Sequence, residues 1–352
     1  MEKLLSIIKQ IEPIDHKLME EAQKRLDSLT KPLGSLGRLE ELAKKVVGIT
    51  RKMSPGVDKK VIVVMAGDHG VTEEKVSAYP QEVTAQMVLN FARGGAGINV
   101  LARHIGAKVI VVDMGVAVDL DEELHIVNKK IAYGAKNFLK GPAMTREEAI
   151  QSIEAGIEVI EEIGKERLDI LGIGDMGIGN TTPSSAIIAA FSGCNVREVT
   201  GRGTGINDET FNRKVKVIEK GISINAPDPE DPIDVLSKVG GFEIGGLAGC
   251  VLAAAAYRVP VVIDGFISTA GALIATEMAP TAKEYIIASH ISQEVGHRLM
   301  LERMGLKPLL DLHLRLGEGT GAALGMSLVE AGVKILKEMA TFADAAVSGQ
   351  IE

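Results

Sequence analysis

The sequence predicts an α/β protein whose mostly parallel sheet is covered by helices on both faces. From Lys60 onward, short runs of β-branched and apolar residues alternate with stretches of helical length. Strands of this continuous apolar kind are typical of parallel sheets that are buried on both faces. Glycine is plentiful at 39 residues and aromatic residues make up only 3% of the chain, which favours helices packed closely on a sheet. The predicted strands are Val61–Met65, Val109–Val112, Leu168–Ile173, Val259–Ile263 and Tyr285–Ala288.

Both ends of the chain have the apolar spacing of helices. Apolar residues recur at intervals of three and four over residues 14–49 and again over residues 328–343. We therefore predict a large α/β domain over residues 56–325 and a small helical domain built from residues 1–55 plus 326–352.

Acidic residues follow four of the five predicted strands: Asp68, Asp113, Asp175 and Asp264. Ligands of open parallel sheets collect at the carboxyl ends of the strands. One acid in this position is usually a helix cap, whereas four together predict a polar site that holds several hydroxyl groups.

The stretch Leu168–Ala190 predicts an anion site. An apolar strand is followed by a glycine loop that ends on Asn180, two threonines and Pro183, and an apolar helical pattern comes next. Asn and Thr favour helix N-caps and proline favours the first helical position. A glycine loop at a helix N-terminus presents backbone N–H groups to a ligand, most often a phosphate.

A dinucleotide site is an alternative for the same stretch. Gly172, Gly174 and Gly177 fit G-x-G-x-x-G, and Glu198 lies at about the expected distance of ~20 residues. The loop is longer than this motif requires, because it continues through 179–182 before the helix begins. An NAD-dependent dehydrogenase is therefore the weaker hypothesis.

Two more loops combine glycine with threonine, Gly201–Gly205 and Gly317–Gly321. Three such loops are able to wrap a phosphorylated sugar, with Arg202 and Lys214 offsetting the phosphate charge. Glu318 lies at the centre of the last loop. It is either a solvated loop glutamate or a partly desolvated carboxylate, and the latter suits a general base.

A metal-dependent hydrolase is a further alternative. His290, Glu294 and His297 would share one face of a helix, and Asp68 with His69 could join them. The spacing matches no recognised metal motif.

Charge and composition narrow the class of partner. The net charge of −8 argues against nucleic acid and against an anionic membrane as binding partners.

The cysteines and the apolar stretches indicate where in the cell the protein is located. Cys194 and Cys250 lie in apolar surroundings, which indicates buried thiols in a reducing compartment. No secretory leader is evident, and the most apolar stretch, Leu247–Ala256, is too short to span a membrane. We expect a cytoplasmic protein.

Seven motifs follow one another along nearly the whole chain: Lys31–Gly37 (KPLGSLG), Ala66–Gly70 (AGDHG), Val76–Gln86 (VSAYPQEVTAQ), Gly174–Thr182 (GDMGIGNTT), Thr200–Asp208 (TGRGTGIND), Asp264–Gly271 (DGFISTAG) and Arg315–Gly321 (RLGEGTG). Together and in this order, they closely resemble the nicotinate-nucleotide–dimethylbenzimidazole phosphoribosyltransferase family.

The resemblance implies transfer of phosphoribose from nicotinate mononucleotide to 5,6-dimethylbenzimidazole, in assembly of the cobalamin nucleotide loop. It also implies a Rossmann-like large domain, a homodimer, and catalysis without a cofactor or metal, with Glu318 as the base. The implied phosphoribosyl contacts are Gly174, Gly177, Gly179, Asn180, Thr181, Thr182, Gly203, Thr204, Gly205, Lys214 and Asp264. The implied acceptor-base contacts are Ser77, Tyr79, Pro80, Gln86 and Asp175.

One position departs from the family pattern. Members of the family commonly have glutamate where this chain has Asp175, which is shorter by one methylene group. If this acid holds the incoming base, its shorter reach changes the selectivity for that base.

Overall fold

The sequence predicted a mostly parallel sheet, and every strand pair of the described sheet is parallel. The computed structural model describes residues 1–348, and within them six strands pair in the order β3-β2-β1-β4-β5-β6. This is the strand order of the Rossmann-type doubly wound fold. The strands are β1 Lys60–Gly67, β2 Lys108–Gly115, β3 Val127–Asn128, β4 Ile170–Met176, β5 Val261–Ile263 and β6 Ile286–Ala288.

The strand β3 is the one strand of the described chain that the sequence did not predict. It has only two residues, Val127 and Asn128, which pair with Val112 and Asp113 at the edge of the sheet. A segment this short shows no apolar run. The other five strands confirm the predicted fold class.

Helices cover both faces of the sheet. The α-helices of residues 1–348 are α1 Glu2–Gln10, α2 His16–Ser28, α3 Arg38–Thr50, α4 Val83–Ala92, α5 Gly97–Ile105, α6 Arg146–Gly164, α7 Thr181–Ser192, α8 Val196–Val199, α9 Asp208–Asn225, α10 Pro232–Val239, α11 Phe242–Ala256, α12 Phe266–Met278, α13 Gly296–Met304 and α14 Thr320–Glu338. Short 3₁₀ segments lie at Gly70–Glu74, Glu122–Leu124 and Pro280–Tyr285.

Alternate residues of β1 enter two separate cores. Val61 and Val63 pack with α6, α11 and α12 on one face, whereas Ile62 and Val64 pack with α4, α5 and α14 on the other. Successive side chains of a strand point to opposite faces, so a strand buried on both sides must be apolar throughout. This explains the uninterrupted apolar runs of the sequence.

The apolar stretch around Leu247–Ala256 belongs to α11, which is buried between the sheet and α6. Small residues bring the two helices close together: a Cβ at Gly156 would lie 2.0 Å from the carbonyl oxygen of Gly246. Cys250 is buried here, and Cys194 is half-buried. No helix among residues 1–348 combines the length and the apolar character needed to cross a membrane.

The two helical ends of the chain meet in part. Leu26 of α2, Val47 of α3 and Leu336 of α14 share a small apolar cluster, but Leu4 of α1 packs into the core beside α6 and α11. The division into two domains stays a prediction, and residues 349–352 of the small domain lie outside the described residues.

Candidate active site

A cavity of about 390 Å³ opens at the carboxyl ends of β4 and β5, beside the point where the strand order reverses. Ligands of doubly wound proteins bind in this position. Ten of the predicted site residues line it: Ser77, Tyr79, Asp175, Gly177, Gly179, Asn180, Thr181, Gly203, Thr204 and Glu318. The predicted residues outside its lining are Pro80, Gln86, Gly174, Thr182, Gly205, Lys214 and Asp264.

The loop between β4 and α7 forms the floor of the cavity. A Cβ at Gly177 would lie 2.3 Å from the carbonyl oxygen of Gly67, so only glycine allows the loop to pass so close to β1. The sequence predicted Pro183 at the first helical position. The helix begins at Thr181, so Pro183 is at the third position. The Asn180 side chain makes no cap; it donates to Asp175 Oδ2 at 2.9 Å.

Lys214 lies behind this loop and supplies a buried positive charge. Its Nζ donates to Thr181 Oγ1 at 2.7 Å and to the carbonyl oxygen of Gly201 at 3.3 Å. Burial lowers the pKa of Lys214 to about 8, and the neighbouring Glu294 carboxylate opposes that shift. The lysine therefore connects two glycine loops at the place where a phosphate would meet the first turn of α7.

The loop 201–205 is tied to the segment that carries Ser77. Thr204 Oγ1 accepts the Ala78 N–H at 3.1 Å and lies 3.4 Å from Ser77 Oγ. Arg315 donates to the carbonyl oxygen of Gly203 at 3.1 Å. Arg202 does not line the cavity; its guanidinium pairs with Asp208 and is 54% exposed.

Glu318 has an unusual backbone and a buried side chain. Its φ is +64°, between Gly317 at +80° and Gly319 at +91°, so three successive residues are left-handed. The residue is 4% exposed, and Oε2 accepts the Ile98 N–H at 3.1 Å. Burial raises the pKa of Glu318, although this N–H and that of Gly97 act in the opposite direction. Of the two alternatives that the sequence left open, Glu318 is therefore the desolvated carboxylate and not the solvated loop glutamate.

Asp264 is the cap of α14. Its two carboxylate oxygens accept the N–H groups of Gly319, Gly321 and Ala322 at 2.9, 2.6 and 3.3 Å. Burial raises the pKa of Asp264 to about 7 against the effect of these donors. The residue thus fixes the start of the helix that follows Glu318.

The other strand-end acids also differ in role. Asp113 accepts the N–H groups of Gly115 and Val116, and Asp68 accepts that of Ala117. Asp175 is the one of the four that lines the cavity, and burial together with the nearby Asp264 charge raises its pKa well above the ordinary value. The sequence predicted from these four acids a polar site that holds several hydroxyl groups, and this stays a prediction. Asp68, Asp113 and Asp264 accept backbone N–H groups, because loop and helix N–H groups at strand ends need acceptors as well.

Sequence reasoning missed the apolar wall and several polar residues of the cavity. The missed apolar residues are Val76, Val83, Met87, Met176, Ile178, Phe266, Ile267 and Leu316, and the missed polar ones are His290, Ser292, Glu294 and Arg315. The segment after β6 gave a signal, because His290 and Glu294 stood out as titratable residues after a strand, but the sequence suggested a role for them only in the metal alternative.

The arrangement expected for a metal is wrong. Residues 291–295 are not helical, since α13 begins at Gly296, so His290, Glu294 and His297 do not share a helix face. His297 uses Nδ1 to accept the Ser292 N–H and Nε2 to contact a threonine hydroxyl. His69 pairs with Glu243 at 2.7 Å. Within residues 1–348, no three His, Cys, Asp or Glu side chains are placed to hold a metal ion.

The dinucleotide motif is also misplaced. Gly172 and Gly174 lie inside β4 and not in the loop after it. A Cβ at Gly174 would lie 2.2 Å from the backbone nitrogen of Gly319, so this glycine allows α14 to approach the sheet. Glu198 is exposed on α8 and does not line the cavity.

Two glycine loops connected by a buried lysine line one cavity together with a desolvated carboxylate and apolar side chains. This combination is that of an α/β enzyme that acts on a phosphorylated sugar. The family model described as "Phosphoribosyltransferase" matches residues 11–347. The chain belongs to the nicotinate-nucleotide–dimethylbenzimidazole phosphoribosyltransferase family.

Three relatives of this name show how close the likeness is. The protein of Citrifermentans bemidjiense is 61% identical over 348 residues, which are 99% of each chain. That of Geobacter metallireducens is 61% identical over 347 residues, covering 99% of this chain and 98% of its own. The crystal structure of the Thermus thermophilus enzyme superposes with a TM-score of 0.90 at 43% identity, covering 96% of this chain and 100% of that one.

Proposed function

We propose that the protein transfers phosphoribose from nicotinate mononucleotide to 5,6-dimethylbenzimidazole, giving α-ribazole 5′-phosphate and nicotinate. The relatives named above carry this activity in their names. The reaction belongs to assembly of the cobalamin nucleotide loop.

One juxtaposition carries the proposal. The proposed phosphate-binding elements are the loop before Thr181 and the loop around Gly203; both line the cavity, and Lys214 connects them from behind. Glu318 lines the same cavity, as do the apolar side chains of Met176 and Leu316. A flat apolar base placed between these parts has its ring against the apolar wall and its N–H directed at a carboxylate.

The Glu318 carboxylate would act as the general base. Attack by the free ring nitrogen of dimethylbenzimidazole on C1′ of the ribose leaves the base with one proton too many. Removing the N–H proton as the C–N bond forms cancels that charge and strengthens the nucleophile. Burial raises the pKa of Glu318, so the group accepts a proton more readily than an exposed glutamate.

The departing group needs no acid. Nicotinate is bound to C1′ through a pyridinium nitrogen and leaves with the electron pair of that bond, so its ring becomes neutral without protonation. Entry of the new base from the opposite face of the ribose converts the β-linkage into the α-linkage. Asp175, Ser77 and Tyr79 are proposed to contact the incoming base, and the glycine loops to hold the phosphate.

The remaining expectations stay predictions. The homodimer and the cytoplasmic location rest on the resemblance and on composition alone, and so does the assignment of Pro80, Gln86, Gly205 and Thr182 to substrate contacts.

The activity is tested by mixing the protein with nicotinate mononucleotide and dimethylbenzimidazole and following both products by chromatography. We expect equal amounts of nicotinate and α-ribazole 5′-phosphate, and little nicotinate without the acceptor base. Nicotinate release that does not depend on the acceptor would indicate a hydrolase and contradict the proposal.

A further inference from the structure

Glu294 has a buried carboxylate oxygen without a partner. The residue is 6% exposed and lines the cavity. Its Oε1 accepts the Gly203 N–H at 2.8 Å, whereas its buried Oε2 has no hydrogen-bond partner among the described residues. An unsatisfied buried carboxylate oxygen costs free energy, so its persistence at a cavity wall points to a ligand that donates to it.

The carboxylate is held against the phosphate-binding loop. A Cβ at Gly201 would lie 2.1 Å from Glu294 Oε2, so this loop admits the carboxylate only because position 201 is glycine. Gly201 also accepts a hydrogen bond from Lys214. Glu294 is therefore fixed beside the part of the cavity where the sugar phosphate of the donor would lie.

The chemistry of the two substrates restricts what Glu294 can bind. The phosphate and carboxylate groups of nicotinate mononucleotide accept hydrogen bonds and would be repelled by a second carboxylate. The nucleotide has O–H donors at the 2′ and 3′ positions of its ribose, and the pyridinium ring has no N–H. The N–H of dimethylbenzimidazole is directed to Glu318 in the proposed reaction.

Asp264 does not fill the same role. Both of its oxygens are occupied by the N–H groups of α14, and it does not line the cavity. Asp175 also lines the cavity and has a buried Oδ1 without a partner among the described residues, but the proposed reaction assigns it to the incoming base. Glu294 is then the lining acid beside Gly201 and Gly203 whose free oxygen remains for the donor nucleotide.

We propose that Glu294 accepts a hydrogen bond from a ribose hydroxyl of the donor nucleotide and makes the enzyme select ribonucleotides over deoxyribonucleotides. This inference rests on the proposed function. A hydrogen bond from a hydroxyl to a charged acceptor contributes about 1.5–3 kcal/mol, which corresponds to roughly 10- to 150-fold in affinity.

The test compares wild type, Glu294→Ala and Glu294→Gln with nicotinate mononucleotide and with its 2′-deoxy and 3′-deoxy forms. For each pair, kcat/KM is measured at a fixed acceptor concentration, and nucleotide affinity is measured by calorimetry. With the ribonucleotide, Glu294→Ala should weaken affinity about 10- to 100-fold, and Glu294→Gln, which can still accept the Gly203 N–H, should weaken it less.

With the deoxy form that lacks the bound hydroxyl, the same substitutions should have an effect several-fold smaller. Glu294→Ala also removes the hydrogen bond from the Gly203 N–H to Glu294. The loss of affinity from that change is the same for every nucleotide, so the comparison between nucleotides cancels it. If the substitutions weaken all three nucleotides by the same factor, or leave all three unchanged, Glu294 does not bind the ribose. Wild-type turnover of the ribonucleotide is the internal control: its absence would refute the proposed function, and its presence with uniform factors would refute this inference alone.

Discussion

At the scale of single residues, Glu318 combines two unfavourable features. Left-handed backbone costs a residue with a Cβ roughly 1–2 kcal/mol, and burial disfavours its charged form. Gly317 and Gly319 adopt the same left-handed backbone conformation without that cost, because glycine has no Cβ. The Ile98 N–H donates to the Glu318 carboxylate and holds it in place. Strain of this kind persists where the surrounding structure holds it in place, and it is concentrated at functional sites.

Lys214 gives the first prediction, on pH. The ammonium form should bind the phosphate and the neutral form should not, and burial lowers the pKa of Lys214 to about 8. The affinity for nicotinate mononucleotide should therefore fall above that pH, by at most about tenfold per pH unit for one proton.

The matched variant is Lys214→Met, which keeps an unbranched side chain of nearly the same length without the charge. It should bind the nucleotide more weakly, with no dependence on pH in the same range, and bind dimethylbenzimidazole as wild type does. An unaltered pH dependence in the methionine variant, measured by calorimetry, would show that another group titrates.

Asp175 gives the second prediction, on choice of the acceptor. Asp175→Glu lengthens an acid in the cavity lining by one methylene group and should shift the product ratio when dimethylbenzimidazole competes with a purine base. One methylene in a binding pocket is worth about 1–3 kcal/mol, so we expect a shift of at least about fivefold. The KM for nicotinate mononucleotide should change little. An identical product ratio before and after the substitution would make the acid a structural residue.

The sequence allowed only part of these residue roles to be predicted. Lys214 and Glu318 stand beside glycine motifs, and the structure brings both to the cavity region. Asp264 and Asp175 look alike in the sequence, since both follow a strand. In the structure, Asp264 accepts N–H groups at the start of α14, whereas Asp175 lines the cavity. Which backbone N–H groups a carboxylate meets depends on contacts that are distant in sequence.

At the scale of elements, the approach of α14 to β4 sets the position of Glu318. Gly174 lies in β4 opposite the Glu318–Gly319 peptide, and a Cβ there would come within 2.3 Å of the Glu318 carbonyl carbon. Backbone atoms cannot move aside as a flexible side chain can. The glycine that resembled part of a nucleotide motif is therefore a packing residue of the strand.

The third prediction tests this contact. Gly174→Ala should lower the free energy of unfolding by about 1–3 kcal/mol, as overpacking does, and should lower kcat because it displaces the Glu318 loop. Gly164→Ala is the control, because a Cβ at that exposed position meets nothing within 4 Å. Chemical denaturation and steady-state kinetics on both variants measure the difference. Equal stability and equal kcat in the two variants would show that the close approach at Gly174 does not position the Glu318 loop.

At the scale of the whole molecule, the parallel sheet could be predicted because both of its faces are buried. Burial on both faces requires continuous apolar strands, and these are visible in the sequence without any knowledge of their order. The strand order and the position of the cavity could not be derived in this way. They depend on which strands pair, and the pairing of β1 with β4 joins segments about a hundred residues apart.

The turnover of Glu318→Gln decides whether this carboxylate is the general base. Glutamine keeps the size of the side chain and can still accept the Ile98 N–H, but it cannot take the proton from the incoming base. The variant should fold, bind nicotinate mononucleotide and dimethylbenzimidazole like wild type, and lose about 10²- to 10⁴-fold in kcat. The exposed Glu302→Gln should leave kcat unchanged. A folded Glu318→Gln enzyme that forms α-ribazole 5′-phosphate within a few-fold of the wild-type rate would contradict the assignment of Glu318 as the base.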